Sequence, residues 1–189
     1  MQGFVEGLAG ADFTVVMWVF LAFVVLHELE EWNVNAFERR HFSGMPAYAT
    51  DRSARGYIFL FCVGGLLITV AATFAGDPAS AWVFLPAVFF MLTNACQHAY
   101  WSIRFRAYAP GVGTALGLIV PLGLYLILRS VADARVDAVY PIVLAVISAA
   151  VWAQTVQAGD RMTGSVLGAY AAGNWIRQHS AFGGLDRRM

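Results

Sequence analysis

The chain has 189 residues, of which 59% are hydrophobic and only 13% are charged, and its mean hydropathy is +0.63. These values are far too apolar for an ordinary soluble domain and indicate an integral membrane protein. The net charge is zero, and every basic residue is Arg. This balance gives no indication of nucleic-acid binding, so only the placement of the charges is informative.

Five stretches reach the roughly 20 residues that a helix needs to cross a bilayer. Continuous apolar runs without alternation predict helices, which satisfy their own backbone hydrogen bonds in lipid. The expected fold is an all-α, polytopic bundle of five transmembrane helices within residues 1–159, followed by a cytoplasmic tail at 160–189 that can form an interfacial helix. The predicted spans are Phe13–Trp32, Tyr57–Ala75, Trp82–Phe105, Gly111–Arg129 and Ala138–Gln157. Pro121 is expected to kink or loosen the fourth span.

The arginines predict the orientation of the spans. The connections after the second and fourth spans hold only Arg129 and Arg135, whereas all other arginines follow the first, third or fifth span. By the positive-inside rule, the N-terminus lies outside, the C-terminus lies in the cytoplasm, and the inner membrane is the expected location. The first twelve residues lack the basic region and cleavage site of a secretory signal, which fits an uncleaved first helix.

The most informative feature is the run of ionisable residues His27, Glu28, Glu30 and Glu31 near the inner end of the first span. Each charge in the hydrocarbon core costs about 2.5 to 3.5 kcal/mol, so these side chains need partners. At about 100° per residue, Glu31 lies about 40° and Glu30 about −60° from His27 around the helix. These three residues are expected to share one face, whereas Glu28 lies off that face and is expected to form a salt bridge.

A second polar stripe lies on the third span, where Asn94, His98 and Ser102 follow one another at i, i+4 spacing. The first and third spans run in the same direction and each carries its histidine near the predicted cytoplasmic end, so the two stripes can meet. Two imidazoles with carboxylates form a donor set for zinc, iron or manganese. His27, Glu31 and His98 are the predicted ligands of a divalent metal.

Several roles stay open for Glu30, which can be a fourth ligand, a bridge to a second metal, or a general base. The spacing resembles the inverted zinc-hydrolase pattern H-x-x-E-H with Glu31 in place of its last histidine, which would make Glu30 the base. His41 and His179 are further candidates to complete the site. Without a metal, the carboxylates would pair with arginines at the interface, and His98 would be a hydrogen-bonded buried histidine.

The segment Tyr108, Ala109, Pro110 and Gly111 joins the third and fourth spans and predicts a tight turn, with Tyr108 at the level of the headgroups or donating a hydrogen bond into the site. Three elements together resemble the HXXEE domain family of small membrane proteins, namely His27-Glu28-Leu29-Glu30-Glu31, His98, and Tyr108-Ala109-Pro110-Gly111. The resemblance implies a membrane-bound protein and supports the importance of these residues, without supplying a reaction.

Two functions of different classes fit these observations. The first is a metal site at the cytoplasmic interface that acts on a membrane lipid or another amphiphile, by hydrolysis with zinc or by oxidation with iron. The second is a non-enzymatic accessory subunit that packs against a membrane-protein partner and binds a pigment or haem through its histidines. The adjacent carboxylates favour the first, because haem ligation needs none. A proton or ion pathway is a third hypothesis.

Overall fold

The computed structural model describes Gly7 and residues 10–179, and within them the regular secondary structure is helical apart from one isolated bridge between Ser43 and Arg161. Five helices are long and apolar enough to cross a membrane, as predicted. They are Phe13–His41, Asp51–Ala75, Ala79–Phe105, Val112–Ala132 and Val139–Ala158. The predicted tail after residue 179 and most of the first twelve residues lie outside the described part.

The elements are numbered along the chain for reference below. They are α1 (Phe13–Glu30), a 3-10 turn (Glu31–Asn33), α2 (Val34–His41), α3 (Asp51–Ala75), α4 (Ala79–Phe105), α5 (Val112–Thr114), a π-helical turn (Ala115–Ile119), α6 (Val120–Ala132), α7 (Val139–Ala158) and α8 (Gly164–His179). The first span therefore continues through the 3-10 turn into α2, well past its predicted end at Trp32.

Side-chain caps and one proline define several of these helix boundaries. The Asp12 carboxylate accepts a backbone hydrogen bond at the start of α1, and Thr50 with Ser53 forms a capping box at the start of α3. The backbone opens into the π-helical turn Ala115–Ile119 immediately before α6, where Pro121 removes one backbone donor. The predicted loosening of the fourth span near Pro121 is therefore confirmed.

The main apolar core forms where α1, α4 and α6 pack together. Phe20 meets Phe84 edge to face with ring centroids 5.8 Å apart, and Met17, Leu85 and Leu126 are completely buried beside them. Aromatic and aliphatic side chains of this size supply most of the packing energy of a helical bundle. This core fixes α1 against α4, the two helices that carry the predicted polar stripes.

The tail helix α8 packs closely against α3. A Cβ added to Gly173 would lie 2.1 Å from the backbone oxygen of Ser53, and one added to Gly56 would lie 2.7 Å from the backbone oxygen of Gly173. Close to this crossing, Tyr170 is fully buried and its ring meets that of Tyr57 with centroids 5.1 Å apart. The two glycines let the backbones touch, so one face of α8 belongs to the bundle.

Large apolar side chains cover much of the outer surface of the spans. Phe74 is 87% exposed and Leu128 is 70% exposed, and α7 presents Ile142 and Val146 outward while it packs mainly against α4. Soluble proteins rarely expose contiguous apolar surface on this scale. The surface matches the hydrocarbon of a bilayer and supports the membrane assignment made from composition.

Candidate metal centre

His27 and Glu31 come together where α1 passes into the 3-10 turn. Residues four apart lie on the same face of a helix, and Nε2 of His27 is 2.8 Å from Oε1 of Glu31. Both side chains are buried: His27 is fully buried and Glu31 is 5% exposed. The prediction that these two side chains share a face is confirmed.

His98 approaches the same carboxylate from α4. Its Nε2 is also 2.8 Å from Oε1 of Glu31, and its ring meets that of His27 edge to face with centroids 5.2 Å apart. One ligand atom from each of the three residues lies within 4.8 Å of the others. We call His27, Glu31 and His98 the metal group, and they are the three residues that the sequence predicts as ligands.

The short contacts within the metal group lack the geometry of hydrogen bonds, and each is an ion pair only if its histidine is protonated. Oε1 of Glu31 and both ring nitrogens of His98 are buried, yet they form no hydrogen bond to any described residue, although Nε2 of His98 is only 2.8 Å from that oxygen. On His27, Nδ1 lies 3.1 Å from the carbonyl oxygen of Gly111, which can only accept. On the other side of the ring, Nε2 of His27 faces Oε1 of Glu31 at 2.8 Å and Oδ1 of Asn94 at 2.7 Å. Buried polar atoms without partners are rare, and here two of them, Oε1 of Glu31 and Nε2 of His98, face each other.

The other two members of the polar stripe on α4 have separate contacts. Oδ1 of Asn94 is 2.7 Å from Nε2 of His27, so Asn94 borders the metal group. The hydroxyl of Ser102 accepts a hydrogen bond of 3.2 Å from the backbone of Ala109, and it therefore supports the turn that follows α4. The predicted meeting of the two stripes holds for Asn94 and His98 but not for Ser102.

The turn between α4 and α5 holds His27 on the side away from Glu31. Besides the Gly111 carbonyl, the hydroxyl of Thr114 lies 3.0 Å from Nδ1 of His27. Gly111 has a φ of +92°, and a Cβ added there would lie 2.8 Å from Cε1 of His27 and 2.9 Å from Oε1 of Glu31. Glycine alone combines this backbone conformation with so close an approach. Contacts of this kind fix the tautomer and orientation of histidines that bind metals.

Glu30 points away from the metal group toward the start of α5. Its carboxylate accepts hydrogen bonds from the Tyr108 hydroxyl, from the backbone N–H of Gly113 at 3.2 Å, and from the backbone and hydroxyl of Thr114 at 2.8 and 2.6 Å. It thus satisfies free N–H groups at the beginning of the fourth span. The bond to Glu30 also raises the pKa of Tyr108. The structure does not bring Glu30 to the metal group, and its predicted roles as ligand or base stay predictions.

The remaining candidates from the sequence lie elsewhere. His41 stacks on Phe105 with centroids 4.9 Å apart, and Nδ1 of His179 is 2.9 Å from the backbone oxygen of Trp175. Glu28 is buried, but one of its carboxylate oxygens has no hydrogen-bond partner, and the described residues contain no ion pair that includes it. The expected salt bridge of Glu28 is therefore not found in the described part of the chain.

A second buried polar cluster, which the sequence did not predict, lies on the same helical face. Glu38 on α2 is 2% exposed and accepts a hydrogen bond from the Tyr170 hydroxyl, to which Asn35 also donates at 2.9 Å. Burial and the Glu38 carboxylate raise the pKa of Tyr170. Glu38 follows Glu31 by seven residues, and this spacing places both on one face only if the helix continues past Trp32. The spacing is the signal that sequence reasoning missed.

The fold and the site together define a helical membrane protein with a candidate divalent-metal centre. Two histidines and one carboxylate are the donor set of catalytic zinc sites of the His-His-Glu type and of non-haem iron sites with two histidines and one carboxylate. The metal group therefore fits the predicted zinc or iron, and its buried donors without partners are chemically suited to either ion.

The family model for proteins of unknown function with an HXXEE motif matches residues 18–126. The chain therefore belongs to this family, as the sequence resemblance indicated. The matched region contains the metal group and the turn at Gly111. Neither the comparison with curated proteins nor the comparison with solved structures finds a match.

Proposed function

We propose that this protein is a multi-pass inner-membrane protein that binds one divalent metal ion through His27, Glu31 and His98 and acts on a lipid-like or amphiphilic substrate. The observation that carries the proposal is that one ligand atom from each of three buried side chains lies within 4.8 Å of the others, and two of these atoms, Oε1 of Glu31 and Nε2 of His98, have no hydrogen bond. A divalent cation gives one ligand atom of each side chain a common partner, whereas the same contacts without a metal require a proton on each imidazole Nε2. The carboxylate between the imidazoles also favours a cation over haem, which needs only axial ligands.

The arginine distribution supports an orientation with the N-terminus outside and the C-terminus in the cytoplasm. In that orientation the metal group lies toward the cytoplasmic end of α1 and α4, in the inner half of the bilayer. Molecules dissolved in the bilayer reach such a position most directly, which supports an amphiphilic substrate. A divalent ion bound there supplies Lewis-acid polarisation of a carbonyl or phosphoryl oxygen, and iron would add redox chemistry.

The residues around the metal group supply orientation and shielding. The Gly111 carbonyl and Thr114 hold His27 by Nδ1, so that its Nε2 faces Glu31. Apolar helices surround the group and lower the local dielectric, which strengthens every electrostatic interaction inside it. Glu30 keeps the supporting turn in place through its bonds to the start of α5. These contacts describe a preorganised site rather than a chance cluster of polar side chains.

The test is the metal content of detergent-purified protein, measured by mass spectrometry for the wild type and for Glu31→Gln and His98→Ala. Wild-type protein is expected to hold one zinc or iron ion per chain, and both variants are expected to lose it. Asp160→Asn, which changes an exposed carboxylate far from the group in the chain, is the matched control and should keep the metal. Circular dichroism and gel filtration show whether each variant is folded.

A further variant, Glu30→Gln, tests whether Glu30 supports the turn or is a fourth ligand. Retained metal with lower stability assigns Glu30 to the support of the turn, whereas lost metal in a folded variant makes it a fourth ligand. Wild-type protein that folds but binds neither zinc nor iron after reconstitution would overturn the proposal. Stoichiometric metal in Glu31→Gln would also overturn it, because the central carboxylate would then be dispensable.

A further inference from the structure

A cavity of about 580 Å³ lies between α3, α4, α7 and α8 and reaches the metal group. Glu31 and His98 line it together with Glu38 and Trp101, so the metal group and the second buried carboxylate border the same space. The size is typical of sites that enclose a small molecule. A molecule in this cavity would have its polar end between the metal group and Glu38.

The cavity continues away from the metal group along an apolar path. Phe61, Pro86 and Phe90 line it and also line a second cavity of about 290 Å³ between α1, α3 and α4. From His98 back to Pro86 on α4 the larger cavity covers about 18 Å at 1.5 Å per residue, which is more than half of the hydrocarbon core of a bilayer. The larger cavity therefore has the length and lining for much of a long apolar chain, and the second cavity lies beyond the wall that the two share.

The charges around the polar end restrict the head of that molecule. The described residues that line the larger cavity include the carboxylates of Glu31 and Glu38 but no Arg. Apart from the ion proposed for the metal group, this lining offers no cation to a phosphate or carboxylate head. Glu38 offers an oxygen that can accept a hydrogen bond from a hydroxyl or an amide N–H. The lining therefore favours an uncharged head that donates a hydrogen bond.

The helix packing leaves a route from the bilayer into the cavity. Both α3 and α7 line the cavity, yet they make few or no direct contacts, and α7 packs mainly against α4. Phe61 on α3 and Ile147 on α7 line the cavity and are also exposed on the outer surface, so the cavity opens between these helices onto apolar surface. A molecule already dissolved in hydrocarbon can enter sideways through this gap without crossing water.

From these observations we infer that the cavity is the substrate site and that its ligand is a single-chain amphiphile with an uncharged, hydrogen-bonding head, such as a long-chain alcohol or amide. The apolar chain lies along α4 toward Pro86, and the head lies between the metal group and Glu38, which accepts its hydrogen bond. The inference rests on the proposed function, since the metal group forms one wall of the site.

The test uses hexadecanol that carries a photoreactive diazirine in mid-chain, with the protein in phosphatidylcholine vesicles. After illumination, mass spectrometry of the peptides locates the adducts. Adducts on the cavity walls of α3 and α4 are expected to decrease when excess 1-hexadecanol is added. Adducts on lipid-facing positions such as Phe74 are expected to stay, because they do not depend on a saturable site.

Two glycines of α8 provide a matched pair of variants. Gly168 lines the larger cavity and Gly164 does not, and a Cβ at either position meets no atom within 4 Å. Gly168→Phe is expected to reduce the competable labelling about tenfold by filling the cavity, whereas Gly164→Phe should leave it unchanged. Glu38→Leu is expected to weaken competition by 1-hexadecanol about tenfold, because it removes the acceptor of the head's hydrogen bond at a similar side-chain volume.

Equal labelling of Gly168→Phe and the wild type would overturn the inference, and so would hexadecyl phosphate that competes as well as 1-hexadecanol. The metal content of the same preparations separates this outcome from a failure of the proposed function. Competable labelling in protein that binds no metal would reject the metal centre and leave the amphiphile site standing. Stoichiometric metal without competable labelling would reject the amphiphile site alone.

Discussion

Gly111→Ala is the most informative single substitution in this protein, because Gly111 contacts two members of the metal group at once. Its φ of +92° lies outside the range that alanine adopts without strain. The added methyl carbon would lie 2.8 Å from Cε1 of His27 and within 3.0 Å of two atoms of Glu31. Neither side chain is free to retreat, since both are buried and Glu31 also faces His98.

The size of the effect of Gly111→Ala follows from the backbone strain and from the displacement of His27 and Glu31. A strained backbone of this kind costs about 1 to 3 kcal/mol of folding stability. Displacement of ligands or of the groups that orient them typically lowers metal affinity about 10- to 100-fold. We therefore expect Gly111→Ala to fold with reduced stability and to bind zinc or iron at least tenfold more weakly than the wild type.

The assay is a metal titration of the apoprotein in detergent, with thermal unfolding followed by circular dichroism on the same samples. Gly44→Ala is the matched control, because Gly44 also has a positive φ, of +70°, but a Cβ there meets nothing within 4 Å. Gly44→Ala therefore introduces backbone strain but no contact with the metal group. If Gly111→Ala bound metal as tightly as Gly44→Ala does, the assignment of the turn as a support of the metal group would be refuted.

Three further predictions concern the support and the helix packing. Thr114→Val removes a hydroxyl that donates to Glu30 and is expected to cost about 1 to 3 kcal/mol in urea unfolding; an unchanged midpoint would contradict the capping role. The bond to Glu30 raises the pKa of Tyr108, so its stabilising effect is present below about pH 10 and is lost as the pH rises through the raised value. In a spectrophotometric titration, the absorbance difference between the wild type and Tyr108→Phe reports the Tyr108 phenolate, which should appear only above pH 10. Gly56→Ala should lower thermal stability by about 1 to 3 kcal/mol because it forces α3 from α8, whereas Gly64→Ala on the same helix should not.

Much of the architecture follows from short-range patterns in the chain. Continuous apolar runs require helices in lipid, so five spans can be read from hydropathy alone. The pairing of His27 with Glu31 follows from the helical period, and the approach of His98 follows from two spans that run in the same direction. Pro121 perturbs the backbone wherever the helix is placed, because its missing donor is a covalent property.

The two carboxylates Glu30 and Glu31 show what short-range patterns do not predict. They are adjacent in sequence and about 100° apart around the helix, so each meets a different neighbour. Glu31 meets His98 on α4, whereas Glu30 meets the N–H groups at the start of α5. The position of the turn at Gly111 determines which carboxylate joins the metal group, and helical periodicity contains no information about that position.

The lining of the larger cavity depends on contacts that are still more distant along the chain. Glu38 and Tyr170 are far apart in sequence, and they meet because Gly56 and Gly173 let α8 reach the backbone of α3. Hydropathy ends the first span at Trp32, since polar residues follow, yet the helix continues to His41 and its buried Glu38 accepts a hydrogen bond from Tyr170 of α8.

The sequence alone therefore specifies the membrane class, the spans and the three metal-binding candidates, because these depend on composition and on periods of a few residues. The three-dimensional packing assigns separate roles to Glu30 and Glu31 and joins Glu38 to the cavity, because those outcomes depend on which helix faces which. The chemical properties of a side chain follow from its own residue type, whereas the residues that it contacts depend on the close packing of distant segments.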